Sequence, residues 1–418
     1  MSVSKVDENL PKHCSFYVAR KKRKCRMLVK ETEMYCCEHQ PTRELDATND
    51  TERGIRIPCP YDRKHTCFAH KLEKHLKICN SRPKENEPFI VKGINSGSPN
   101  IHDEIDESVT LSTKPADEIK RVIDLINKIY NENPLVIKEK ICEHQVVENE
   151  MMDPIYGEKT KKHLRQVSSV LGLLLENKLL NSNTCFIEFG AGRGALSYWI
   201  SKATSDETNI LLIEKASPKH KKDNKLDKTS DKVQRVRADI IDLVLDEIEL
   251  VNKSEQIIGV TKHLCGAATD FTIRCLANLS KNKQKLLGFL MTFCCHHRCS
   301  WSSFTGREYF EKLGITKSDF QIMCGLVSWA TCGTGLSRQR REEIAKETQE
   351  SVVKEKNVLG LTAEEKEQIG LKCKNLMNWG CLLFIQDMGF DCDLHYYVKR
   401  EITPENVCIV AKNKAAQS

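Results

Sequence analysis

Short apolar runs, each closed by polar or reactive side chains, recur through the middle of the chain and suggest its architecture. Cys185–Ile187 with Phe189 is the first; Ile210–Ile213 ends at Glu214 and Val233–Ala238 at Asp239. Ile257–Thr261 ends at Lys262 and His263, and Leu286–Thr292 leads through Phe293 into Cys294, Cys295, His296 and His297. Apolar runs this short, bounded by polar residues, read as buried strands. A helix over Ala195–Lys202 follows the first, and long connections separate the others. The pattern predicts a doubly wound, mostly parallel α/β sheet with ligands at the carboxyl ends of its strands. Upstream, Ile119, Val122, Ile123, Ile126 and Ile129 mark one face of a helix starting at Ala116. A second helix, Lys161–Leu180, turns Leu164, Val167, Leu171 and Leu174 inward, and its basic start (Lys161, Lys162, His163, Arg165) reads as a solvated face. Downstream, Thr362 and Glu365 have capping-box spacing for a helix to about Trp379. Leu394–Val398 and Val407–Ala411 read as the last of seven strands.

The stretch Cys185–Leu196, CFIEFGAGRGAL, reads as a cofactor cradle: Gly190, Gly192 and Gly194 permit a sharp turn and close approach of backbone N–H groups to a ligand. Glu214 follows by about 20 residues, where an acid at a strand end accepts both hydroxyls of a ribose. Ala195 and Leu196 stand where a dinucleotide fingerprint expects its third glycine. EFGAGRG instead resembles the first motif of class I S-adenosylmethionine-dependent methyltransferases. That resemblance implies a Rossmann-like, seven-stranded domain binding S-adenosyl-L-methionine through Glu188, Gly190, Gly192, Gly194, Glu214 and Asp239.

The amino-terminal composition differs. His13–Gln40 is poor in aliphatic residues and basic from Arg20 to Lys30, so it needs a staple; Cys14, Cys25, Cys36 and His39 supply ligands for one tetrahedral zinc, with Cys37 competing for the third position. Cys59, His65, His75 and Cys79 form a Cys-x5-His-x9-His-x3-Cys set that resembles the CHHC zinc fingers of RNA-processing proteins, leaving Cys67 and His70 as packing or surface residues. The expected organisation is a finger at 10–42, a finger at 55–82 and a linker at 83–115 with a short ordered piece at Phe89–Ile94. A catalytic domain at 116–415 follows, carrying a mobile charged insertion at 338–360.

Composition changes the picture in two ways. The 418 residues carry 65 Lys and Arg against 58 Asp and Glu, a net +7 that permits a polyanionic partner without requiring one. The 20 cysteines, with no signal peptide over Met1–Leu10 and no apolar run long enough to span a membrane, point to a reducing interior, nucleus or cytoplasm, with no membrane association. The sequence makes no obligate protein partner evident.

Methyl transfer to an alcohol requires an aligned oxygen and a group to take its proton; Lys262, His263, His296 and His297, at neighbouring strand ends, are the candidates. The alternatives for Cys294, Cys295, His296, His297 and Cys299 are a polar rim with buried thiols or a third zinc site, against which stands the alternation of side chains along an extended strand. Cys295 as a covalent methyl acceptor lacks the sequence context of cytosine-modifying enzymes. These readings reach a zinc-containing, nucleic-acid-directed methyltransferase; a base or protein methyltransferase, or a non-catalytic RNA-binding subunit, remains as an alternative.

The basic run with YCCEH, the CPYDRKH and LEKHLKIC finger, KHLRQVSSVLG, FIEFGAGRGALS, TKHLCGAATD, CCHHRCSW, REYFEKLG and SWATCG follow one another along nearly the whole chain. Together they resemble the eukaryotic tRNA ribose methyltransferases that modify nucleotide 4 of the acceptor stem. The resemblance implies 2′-O-methylation of that nucleotide in a subset of tRNAs, with the fingers contributing tRNA binding. Two departures stand out. Cys37 replaces a glycine usual before the EH pair, and the segment after Gly333 lacks the long acidic insertion common in relatives.

Overall fold

The computed structural model describes residues 12–18, 23–25, 27–29, 32–36, 56–79, 82, 87–97, 110–204, 207–216, 218, 222–226, 231–332 and 359–416, the side chains at 18, 23, 62, 64, 65, 332 and 416 excepted. Cys37, His39, the His65 side chain and all but the last two residues of the expected insertion lie outside that description. The chain divides into two compact units, Met1–Glu85 and Asn86–Ser418.

In the first unit, Tyr17–Val18 pairs antiparallel with Arg23–Lys24, and Cys14, Cys25 and Cys36 are buried. Thiols buried with so little aliphatic cover point to a shared ligand rather than a core. The strands Arg56–Cys59 and Asp62–Phe68 then form a hairpin, followed by the helix Leu72–Ile78, which places His75 one turn before Cys79. Cys67 is buried and His70 exposed.

The second unit holds an eight-stranded sheet of β1 (Lys138–Glu139), β2 (Thr184–Phe189), β3 (Asn209–Ile213), β4 (Val233–Val236), β5 (Gln256–Cys265), β6 (Leu286–Cys294), β7 (Phe390–Tyr396) and β8 (Val407–Asn413). Their order is β1-β7-β8-β6-β5-β2-β3-β4. The seven expected strands are present, and β1 adds a two-residue edge parallel to β7. β8 runs antiparallel to both β6 and β7; the pairs β6/β5, β5/β2, β2/β3 and β3/β4 are parallel. Order reverses at β2, whose successors in the chain lie first on one side and then, from β5, on the other. In such sheets the crevice at the reversal takes the ligand.

The period of two along β2 divides the core. Cys185, Ile187 and Phe189 pack with Ile119, Ile126 and Ile129 of α1 (Ala116–Glu132) and with Leu276 of α4 (Ala267–Ala277). Phe186 packs on the opposite face with Val170 and Leu171 of α2 (Glu158–Glu176) and Leu196 and Ile200 of α3 (Ala195–Ala203). The apolar stripe of α1 is the one its periodicity predicts. α5 (Ala363–Asp387) begins at the expected capping box, with Glu365 N–H on Thr362 Oγ1 at 3.1 Å and Thr362 N–H on Glu365 Oε2 at 2.7 Å. It runs past Trp379 because Leu382 and Ile385 continue its buried face.

The short piece at Phe89–Ile94 is ordered: Val91 N–H donates to Asp242 O and Gly93 N–H to Asp242 Oδ1, both at 2.8 Å. The buried Asn95 amide donates to Ile240 O and Leu243 O at 2.7 and 2.9 Å. This segment therefore belongs to the second unit, held by backbone groups beyond β4.

Candidate functional site

Past β2 the chain turns through Gly190, Gly192 and Gly194, at φ of 64°, 49° and 70°, and enters α3. Side chains resist that left-handed region. A Cβ on Gly190 would lie 2.7 Å from Leu264 Cδ1, and one on Gly194 2.8 Å from Asp223 Oδ1, whereas at Gly192 the nearest atom is 4.0 Å away. Gly190 and Gly194 thus satisfy internal packing, and Gly192 faces space that a ligand can occupy.

Three carboxylates stand around this loop, at or just beyond the ends of β2, β3 and β4. Glu188 is buried, accepting the Ser197 N–H at 2.9 Å and its hydroxyl at 2.5 Å; burial raises its carboxyl to about 7. Glu214 accepts the N–H groups of Gly192 and Ala216, both at 2.7 Å. Asp239 pairs with Lys215 and caps the turn after β4. Two residues that the sequence patterns did not single out brace the loop from outside. Arg235 donates to both carboxylate oxygens of buried Asp223 at 3.0 Å and to Gly192 O at 3.1 Å.

The end of β5 backs the glycine loop: Leu264 Cδ1 and His263 O lie 2.7 and 3.8 Å from the Gly190 Cβ position. Lys262 is half-buried, its Nζ 3.5 Å from His163 Nδ1, and the His163 and His263 rings meet edge-on at 6.1 Å. Burial lowers the Lys262 ammonium to about 8 against the opposing pull of Glu188. Of the basic residues that begin α2, His163 therefore belongs to the site.

His296 and His297 occupy a tight turn after β6 and part company. His296 is buried with Nε2 2.6 Å from Asn378 Oδ1, and burial lowers it to about 4. His297 is exposed. Beside them Lys374 Nζ donates to Glu405 Oε2 at 2.5 Å. Burial opposes charge on Glu405, but Lys374 outweighs it and holds the carboxyl below its ordinary range. The structure groups Lys262 with His263 and His163, and His296 with Asn378.

The loops after β5 and β6 interlock at Gly266. Its N–H donates to Cys294 O at 3.2 Å, its φ is 58° and ψ −133°, and an added Cβ would lie 2.4 Å from Arg298 O. That backbone region admits essentially glycine alone and costs another residue about 1–3 kcal/mol before any clash. Gly266→Ala is expected to lower stability by at least that much, read as a reduced urea midpoint at unchanged slope.

In the first unit the sulfurs of Cys14, Cys25 and Cys36 converge, as do the ligand atoms of Cys59, His75 and Cys79, each group within 4.8 Å. Cys59 and Cys79 sulfurs are 3.5 Å apart and His75 Nε2 is 3.2 Å from Cys59 Sγ. Thiolate and imidazole sets this compact suit tetrahedral zinc, with metal–sulfur bonds of about 2.3 Å. His39 and the His65 side chain, the remaining expected ligands, are outside the described residues.

Residues 165–412 match the family described as Methyltransferase TRM13. Residues 56–80 match the U11-48K-like CHHC zinc finger, and 12–40 the CCCH zinc finger in TRM13 protein. The chain is 31% identical to the tRNA:m(4)X modification enzyme TRM13 homolog of Mus musculus over 95% of its length and 94% of the relative's. The human protein of that name gives the same figures. The tRNA:m(4)X modification enzyme TRM13 of Schizosaccharomyces pombe is 34% identical over 85% of this chain and 95% of its own.

Proposed function

The chain belongs to the Methyltransferase TRM13 family, and on that premise we propose that it transfers a methyl group from S-adenosyl-L-methionine to the ribose 2′-hydroxyl of nucleotide 4 in the acceptor stem of a subset of tRNAs. The relatives' names supply tRNA and position 4. The observation that carries the ribose assignment is the half-buried Lys262 amine, 3.5 Å from His163 Nδ1 and within electrostatic reach of Glu188, a group able to take an alcohol proton. Its setting is the interior of the cell, nucleus or cytoplasm; among the described residues no helix is long and apolar enough to cross a membrane.

Gly190, Gly192, Gly194, Glu188, Glu214 and Asp239 would hold the donor, which supplies an electrophilic sulfonium methyl. The open face of Gly192 is the fit. Glu214 would hold the ribose hydroxyls, and its bond to Gly192 N–H keeps the loop in shape. Lys262, as a neutral amine, would take the proton of the 2′-hydroxyl. Burial and the nearby Lys222 charge favour the neutral form of that amine, against the pull of Glu188. His297 faces solvent, where tRNA approaches; His296 is a positioning residue held by Asn378. Two zinc ions would bind the first unit, one on Cys14, Cys25, Cys36 and His39 and one on Cys59, His65, His75 and Cys79.

The test is incubation of the purified protein with labelled donor and total tRNA, followed by mapping of the modified nucleotide. Alkali resistance after nucleotide 4 is expected; label on a base or on protein would sink the assignment. A hydrogen bond to a charged acceptor is worth ~1.5–3 kcal/mol. Glu214→Ala should therefore weaken the donor about tenfold or more by calorimetry, and an unchanged affinity would remove Glu214 from the donor site.

A further inference from the structure

A third group of thiols meets the same geometric description as the two in the fingers. The sulfurs of Cys265, Cys294 and Cys295 lie within 4.8 Å of one another, Cys265 to Cys294 at 3.9 Å and Cys294 to Cys295 at 3.3 Å. They sit at the carboxyl ends of adjacent parallel strands, Cys265 closing β5 and Cys294 closing β6, paired across the sheet. None is fully buried, so an ion has access.

Alternation along a strand would send Cys294 and Cys295 to opposite faces. The structure overturns that objection by ending β6 at Cys294 and placing Cys295 in the left-handed region, at φ 53° and ψ 46°. A non-glycine residue there is uncommon; among the described residues only Lys178 and Asn183 share it. The turn brings the Cys295 sulfur back onto that of its neighbour. His296, His297 and Cys299, the other residues of this motif, are not in the group; Cys265, from the preceding strand, takes their place.

We propose that Cys265, Cys294 and Cys295 bind a metal ion, zinc by preference, as three thiolate ligands with water in the fourth position. Thiolates select borderline and soft cations over magnesium or calcium, and three protein ligands leave an exchangeable position. The ion would clamp the end of β5, which carries Lys262 and His263, to the turn that carries His296 and His297. Its binding requires neither S-adenosylmethionine nor tRNA, so its failure leaves the methyl-transfer assignment intact.

The test compares the full-length chain with its Cys265→Ser/Cys294→Ser variant, both purified aerobically without chelator and analysed for zinc by mass spectrometry. One zinc equivalent fewer per chain in the variant is expected, and equal content would overturn the site. To guard against a variant that fails to fold, the unmodified chain is also alkylated with iodoacetamide before and after a thiol-selective chelator, and the labelled peptides are identified. Cys265, Cys294 and Cys295 should gain label at least tenfold faster once metal is stripped. Equal rates, or a Cys294–Cys295 disulfide found in place of metal, would reject it.

Discussion

Lys262→Ala should slow methyl transfer by roughly 10²–10⁴-fold, the usual contribution of a positioned proton acceptor, while leaving donor binding within about threefold of the unmodified chain. The amine is held at about 8 by burial, with Glu188 pulling in the opposite direction. Its neutral fraction is therefore about a tenth at pH 7 and about nine tenths at pH 9. If the neutral amine accepts the proton, single-turnover rates rise with pH and level off above about 8. If Lys262 acted only as a fixed cation, rates would fall over the same range, so the sign of the profile decides the role. Lys262→Arg keeps the charge but does not deprotonate, and it should be nearly as slow as alanine with the pH dependence gone. A Lys262→Arg rate near that of the unmodified chain would transfer the proton to His263 or another group.

The centre of the sheet was legible because its strands there are apolar runs, buried on both faces and bounded by polar residues; Ile210–Ile213 and Leu286–Thr292 fall inside strands of the structure. β1 was not, because Lys138 and Glu139 are exposed and join the sheet through backbone pairing that leaves no apolar signature. The glycine loop and its acids were legible from spacing. The Asp223–Arg235 brace was invisible, since an ion pair between a loop and a strand depends on how they pack. His163 illustrates the same limit: on the helix pattern it belongs to a solvated face, and only the position of α2 against β5 brings it to Lys262. His296 and His297, equivalent in sequence, diverge because the turn buries one and exposes the other.

Disrupting the two fingers should weaken tRNA binding by on the order of 10- to 100-fold without weakening the donor. Arg20, Lys21, Lys22, Arg23, Lys24, Arg26 and Lys30 are concentrated around Cys25, one of the buried sulfurs of the first finger. Tyr17, Met27 and Leu28 are exposed, so the finger also offers apolar surface. Zinc binding to such small modules supplies roughly 10–16 kcal/mol of apparent free energy, more than their few apolar residues can replace. A Cys14→Ser/Cys59→Ser variant should therefore lose both local folds, while the second unit keeps its separate core. Phosphate contacts position a duplex without specifying its sequence. An acceptor stem exposes its 2′-hydroxyls in a wide, shallow minor groove, so grip on the backbone can be divided from selection of one sugar. Each Lys or Arg that neutralises a phosphate adds about one unit to the slope of log affinity against log salt. The variant should therefore bind tRNA with a slope flatter by about one unit for every phosphate the fingers had neutralised, and methylate it at near-normal rate when tRNA is saturating. An unchanged slope with unchanged affinity would assign the fingers to a partner other than tRNA.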